Sequence, residues 1–220
     1  MGRLRALACL PLAALAIGCG SGDDKPSATA TPHRDDKKAA KDATLKLSDF
    51  PSGWKGEPSS EDRSSRCARV EEAKKLVSAR TTSDSFSKSQ ATLAENAIYV
   101  FPAEDSAEKG FDLVSGQESQ DCYTQTVVKA FAGQSGVKVG RPRTSHPELE
   151  SVGDERDATR VAIGLSAKNV QIDVIVDLVI VRTGRGLSLN LYVNLAQPFD
   201  EALRRKLTAA TVERLDSGVS

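Results

Sequence analysis

Between Val161 and Leu195 apolar residues recur at every second position through three consecutive runs, and that period leaves the chain little choice of local structure. A strand returns side chains to one face every two residues, a helix every 3.6. Val161, Ile163 and Leu165 form the first run, and Ala167-Lys168-Asn169 reads as a turn. Val170, Ile172, Val174, Val176, Leu178 and Ile180 form the second, and Arg182-Thr183-Gly184-Arg185-Gly186 makes the next turn. Leu187, Leu189, Leu191, Val193 and Leu195 complete the series, opposed by Ser188, Asn190, Tyr192 and Asn194. The pattern predicts a three-stranded antiparallel meander with one buried face. On the middle strand the second face changes from Gln171 and Asp173 to Ile175, Val179 and Val181, so part of it is expected to be covered or to form the wall of a cleft.

The remaining periodic segments supply the cover. Asp200 reads as the N-cap of a closing helix through about Leu215, with Leu203, Leu207 and Ala210 on one face. Val70, Ala73 and Val77 predict a helix after Cys67. A helical region from about Ser106 carries Phe111, Val114, Tyr123, Val127, Ala130 and Phe131, with Gly110 and Gly116 as the places where it could split. Ala97 to Phe101 reads as a strand ending at Pro102, and Val137 to Arg143 as a weaker one. This order predicts an α+β fold with helices packed on a mostly antiparallel sheet.

The first 44 residues read differently. Arg3 and Arg5 precede an apolar stretch over residues 6–18, which has the layout of an export signal peptide. Thirteen residues are too few to span a bilayer, which takes roughly 20. Ala16-Ile17-Gly18 fits ordinary secretory cleavage, but the next residue is Cys19, and the segment resembles the bacterial lipobox with Ala16 in place of the usual leucine. Lipidation of Cys19 and plain secretion are the two readings, and the first is taken here: a lipid-anchored protein on the extracytoplasmic face of the cell membrane. Two or more acyl chains suffice for stable attachment.

From Gly20 to Thr44 there is no Val, Ile, Leu, Met or aromatic residue, and five Asp balance four Lys and Arg34. Such a segment buries too little apolar surface to offset its ordering entropy. Residues 19–44 are therefore expected to be a lipidated cysteine and a disordered tether, and residues 45–220 a single extracytoplasmic domain. As a random coil the tether would reach roughly 30 Å.

Cysteine usage fits the same compartment. Cys9 leaves with the signal peptide and Cys19 takes the lipid, so Cys67 and Cys122 remain as a pair. In an oxidising compartment a disulfide is the expected state, with a catalytic thiol or a metal site as alternatives that lack C-x-x-C or C-x-x-H spacing. The charge is balanced, 30 basic against 30 acidic residues over the chain and 28 against 30 without the first 18. Nothing in it makes an electrostatic case for nucleic acid.

Three short segments resemble a known family. Leu47-Ser48-Asp49-Phe50-Pro51-Ser52-Gly53-Trp54 looks like the opening of many actinobacterial exported domains. Ala97-Ile98-Tyr99-Val100-Phe101, followed by Ser106-Ala107 to Cys122, resembles the strand, helix and cysteine region of the extracellular sensor domain of PknH-type kinases and its stand-alone lipoprotein relatives. Asn169-Val170-Gln171-Ile172-Asp173-Val174 resembles a later strand of that family. The resemblance implies an extracytoplasmic sensor or ligand-binding module with a cleft beside the sheet and no catalytic machinery. The kinase sensor domains carry two disulfides; this chain has cysteines for one, and no kinase or transmembrane segment accompanies it.

A search for chemistry returns structural readings. His33 lies in the tether and His146 in a polar loop before Pro147, with no G-x-S-x-G elbow to serve. No metal site and no cofactor are expected, since too few nitrogen or thiolate ligands remain. Asp173 and Asp177 share one side of a strand but lie about 13 Å apart, beyond the span of paired glycosidase acids, and read as acids on a solvated face. Gly184-Arg185-Gly186 reads as a hairpin turn without the following helix of a phosphate cradle. Trp54 is either a core plug or an exposed stacking platform. Three functions stay open: a non-catalytic ligand-binding or sensor-like module, a lipid or glycolipid carrier that needs a deep apolar cavity, and a cell-wall hydrolase that needs clustered acids. The partner is an unknown small molecule, lipid, cell-wall component or protein.

Overall fold

The computed structural model describes residues 34–59, 67–132, 136–167 and 170–219. Along the chain run α1 (Arg34–Asp42), β1 (Lys55–Glu57), α2 (Ala68–Lys74), β2 (Ala79–Thr82), β3 (Ser85–Ser89), β4 (Thr92–Val100), α3 (Glu104–Ser115) and α4 (Gln117–Ala132). There follow β5 (Lys138–Val139), β6 (Arg143–Ser145), β7 (Glu155–Ala167), β8 (Val170–Thr183), β9 (Gly186–Leu195) and α5 (Glu201–Val219). The strands form one antiparallel sheet in the order β1-β3-β4-β9-β8-β7-β5, with β2 beside β4 and β6 beside β7. The fold is α+β.

The three alternating runs are β7, β8 and β9, each longer than the apolar pattern alone marks out. Thr183 pairs with Gly186, so Gly184 and Arg185 make a two-residue turn, and Gly184 has φ +48°, a left-handed conformation that favours glycine. Lys168 and Asn169 of the preceding predicted turn lie outside the described residues.

Both faces of this meander are covered; the sequence pattern predicted one buried face and a second covered only in part, around Ile175, Val179 and Val181. On the first face α2, α3 and α4 pack through Val70, Phe111, Val114 and Val127 against Tyr99, Ile180, Leu187, Val161, Ile163 and Val174. On the second, α5 lies over Val179, Val181 and Tyr192, and α1 over Ile98 and Val100. Fully buried side chains such as Leu207, Leu215 and Ile98 each contribute roughly 1.5–3 kcal/mol. Ser188, Asn190 and Tyr192, which the alternation puts on an outer polar side, are buried beneath α5. Their polar groups are met inside the protein: Tyr192 Oη lies 2.9 Å from Thr208 Oγ1 of α5, and Asn190 Nδ2 donates to Ser188 Oγ at 3.0 Å. The buried stripe of α5 accordingly runs Arg204, Leu207, Thr208, Thr211, Val212, Leu215, Val219, rotated from the Leu203-Leu207-Ala210 face of the sequence reading. Asp200 does cap this helix, accepting from the Leu203 N–H at 2.7 Å.

Order begins before Leu45. Residues 34–42 are helical, and Ala39, Ala40 and Ala43 pack with Ala79, Ile98, Val100, Leu215 and Val219. The expectation of a disordered tether through Thr44 therefore fails for this part. Its error was to count only large apolar residues: alanines are small enough to let α1 approach closely, as at Gly218, where an added Cβ would lie 2.9 Å from Ala39 Cβ.

Gly116 divides α3 from α4 with an extended backbone, whereas Gly110 lies inside α3 and serves packing. A Cβ on Gly110 would come within 2.4 Å of the buried Phe101 ring. Cys67, just before α2, and Cys122 in α4 form a disulfide with Cα atoms 5.8 Å apart.

Candidate functional site

The carboxylates of β8 have separate structural duties. Asp177 is 1% exposed and accepts from Arg160 Nε at 2.6 Å and Nη2 at 2.7 Å, with Arg204 Nη1 of α5 at 3.5 Å. The solvated-face reading of this residue is thus corrected: α5 covers it and supplies a second guanidinium. Asp173 is half-exposed and pairs with Arg143 of β6 at 3.0 Å. The two acids are thus held in separate ion pairs. Among the described residues no group of three or more His, Cys, Asp and Glu side chains could hold a metal.

A different region has the character of a binding surface. On the α4 side of the sheet, Leu93 and Ala97 of β4 and Leu189, Leu191, Val193 and Leu195 of β9 are only half-buried. They share one face because register pairs Leu93 with Val193, Glu95 with Leu191 and Ala97 with Leu189. α4 walls this strip with Tyr123, Val128 and Phe131, all packed against the same cluster as Leu191 and Val193. The Tyr123 hydroxyl is buried and has no hydrogen-bond partner among the described residues. Burial, and then the negative charges of Asp177 and Glu95, push this phenol well above its ordinary value, so it stays a neutral donor. The arrangement is an apolar strip with one glutamate on its floor and one phenol in its wall.

Leu189, Leu191, Val193 and Leu195 are the third apolar run of the sequence, whereas Leu93 and Glu95 escape sequence reading for a local reason. The sequence pattern reads as a strand from Ala97, whereas β4 starts at Thr92. Extending the alternation backward from Tyr99 through Ala97 to Glu95 and Leu93 would have found the floor; nothing local marks Tyr123.

The fold resembles the PknH extracellular domain. That domain, from Mycobacterium tuberculosis, matches with a TM-score of 0.45 at 11% identity, covering 82% of this chain and 96% of its own. LpqN, involved in cell envelope biogenesis of Mycobacterium tuberculosis, matches with a TM-score of 0.30 at 13% identity, covering 76% of this chain and 78% of its own. No family model and no curated protein matches the chain.

The other sequence-derived candidates are placed as follows. Trp54 is in the core, its ring 4.6 Å from Phe50 and 6.0 Å from Phe199. His146 is exposed, with Nδ1 3.2 Å from the Ala158 carbonyl oxygen. Cys19 and His33 lie outside the described residues. No described helix is long and apolar enough to cross a membrane. Two open concavities on the surface are edged by polar side chains. One, about 770 Å³, runs between α1 and α5 past Asp35, Lys38, Asp42 and Arg214. The other, about 260 Å³, lies where β5 meets the β7–β8 hairpin.

Proposed function

We propose that this chain is an exported lipoprotein, anchored to the extracytoplasmic face of the cell membrane through Cys19, whose folded domain is a non-catalytic ligand-binding or sensor-like module. The observation that carries the binding role is the half-covered strip of Leu93, Ala97, Leu189, Leu191, Val193 and Leu195 beside the Tyr123 hydroxyl. Apolar surface left beside the α4 wall suits a ligand with an apolar body, and the unpartnered phenol buried in that wall is a donor that a polar group on the ligand would satisfy. Anchoring is supported by the Arg3 and Arg5 flank, the apolar stretch and Cys19, and the oxidising compartment by the Cys67–Cys122 bridge. Residues 19–33 then serve as the tether, shorter than the sequence alone suggested.

The strip also favours a lipid or glycolipid as the ligand class, though it is a face and not the enclosed apolar cavity that a carrier would need. Binding of an environment-sensitive apolar dye is the direct test. The wild-type chain should take up the dye saturably, and Leu191→Asp should abolish uptake while the melting transition remains cooperative. Equal dye binding by the variant would remove the strip from consideration. Fractionation tests the anchor: Cys19→Ser should move the chain from the membrane to the soluble fraction.

A further inference from the structure

At the far end of β8 the second concavity collects positive charge. Lys138 of β5, Arg141 in the connection to β6 and Arg143 of β6 line it within six positions of sequence, facing Ser166 of β7 and Gln171 of β8. Its floor is backbone. Gly140 N–H donates to the Gly164 carbonyl at 2.7 Å, and a Cβ on Gly140 would lie 3.1 Å from that oxygen, so the two segments meet without side chains between them. Gly164 opposes Asp173 in register, and a Cβ there would stand 3.8 Å from Gln171 Nε2 and 3.4 Å from Asp173 Oδ1. The missing side chain at Gly164 leaves the space over which the Gln171 amide sits. One carboxylate offsets the charge: Asp173 holds Arg143 at 3.0 Å, with both side chains substantially exposed.

We infer that this groove binds a phosphate-bearing ligand through Lys138, Arg141 and Arg143, with the Ser166 hydroxyl and the Gln171 amide as neutral donors. Two guanidinium forks match the oxygens of a phosphate, and an ammonium adds a point charge. A groove of about 260 Å³ admits one such group and a short substituent. Asp173 competes for Arg143, which makes the affinity modest and tunable.

The groove's position selects the source of the phosphate. The chain enters the fold at α1, whose Asp36 contacts Arg185 in the β8–β9 turn, at one end of β8. The groove is at the other end, roughly 40 Å away along a strand that rises about 3.3 Å per residue. The groove thus lies at the end of the domain distal to residue 34, where the tether attaches, which favours a soluble or wall-borne phosphate ester over a headgroup of that membrane. This choice of source rests on the lipid-anchored reading; the site itself does not.

The test uses residues 20–220, which retain every described element, titrated with glycerol 3-phosphate at low ionic strength while backbone amide shifts are followed. Saturable shifts confined to residues 138–143, 164–166 and 171 are expected. Lys138→Ala combined with Arg141→Ala should weaken binding at least about tenfold, the loss that follows from removing one strong charged contact. Asp173→Asn should tighten it several-fold by releasing Arg143, an effect that a purely structural role for the cluster would not produce. Shifts that stay linear to tens of millimolar, or that survive in the double variant, would overturn the site. Binding to phosphatidylglycerol vesicles that depends on Lys138 and Arg141, without a response to glycerol 3-phosphate, would overturn the source. A wild-type chain found entirely in the soluble fraction, with glycerol 3-phosphate still bound, would remove the anchor and uphold the site.

Discussion

Asp36 in α1 and Arg185 in the β8–β9 turn, 149 residues apart in sequence, are joined by an ion pair of 3.2 Å. The same carboxylate accepts from Ser78 Oγ at 2.6 Å, and Arg185 Nη1 donates to the Phe101 carbonyl at 2.7 Å. One acid thus fastens the first helix to β2, and through Arg185 to the end of β4. Asp36→Ala should lower stability by about 1.5–3 kcal/mol, the range for a hydrogen bond to a charged group. A chain starting at Leu45 should lose more, because it also uncovers Ile98, Val100 and Leu215. Thermal melts of the two variants beside the wild type check both statements, and a Leu45 start with an unchanged midpoint would show α1 to be dispensable.

Loss of the Cys67–Cys122 bridge should cost about 2–5 kcal/mol, as in other small exported domains. The bridge closes a separation of 55 residues, for which the chain-entropy account gives about 4 kcal/mol. Replacing both cysteines by serine and measuring denaturant midpoints tests this; agreement of reduced wild type with the double variant would assign the whole effect to the bond.

Asp177→Ala should be among the most damaging single changes, because it leaves the guanidiniums of Arg160 and Arg204 facing each other with Arg204 deeply buried. Removing one partner of a buried pair typically costs about 3–5 kcal/mol. Asp177→Asn should cost less, since the amide oxygen still accepts from one arginine. A double change of Asp177 and Arg204 to hydrophobic residues should recover part of the loss.

Acid should act partly through Asp49. Burial by itself would raise this carboxyl, but hydrogen bonds from the Arg214 guanidinium and the Lys46 N–H outweigh it and hold the value below the usual 3.8. A depressed carboxylate stabilises the fold at pH above its unfolded value, and that contribution fades as pH falls from about 4 through the folded value. Arg214→Met should therefore lower the melting temperature at neutral pH, and the gap to wild type should narrow below about pH 3. A gap that stays constant across that range would exclude the pair as its origin.

The sequence by itself determined the central meander and the closing helix with its Asp200 cap, because each depends on period, turn chemistry or capping within a few residues; it offered Gly110 and Gly116 alike as breaks in the helical region, and packing on Phe101 keeps Gly110 inside α3. It did not determine what covers the sheet. Ser188, Asn190 and Tyr192 read as solvent-facing because alternation reports polarity, and polarity cannot say whether water or protein supplies the hydrogen bonds; Thr208 of α5 meets Tyr192, and Asn190 donates to Ser188 beneath that helix. An isolated helix as short as α1 is marginal in water, and only contact with Ile98, Val100 and Leu215 together with the Arg185 pair gives it a reason to form. The candidate strip and the basic groove are likewise tertiary products. One is the part of a strand face that α4 leaves uncovered, and the other is a meeting of β5, β6, β7 and β8 at a pair of glycines, a juxtaposition that register creates and no local pattern encodes.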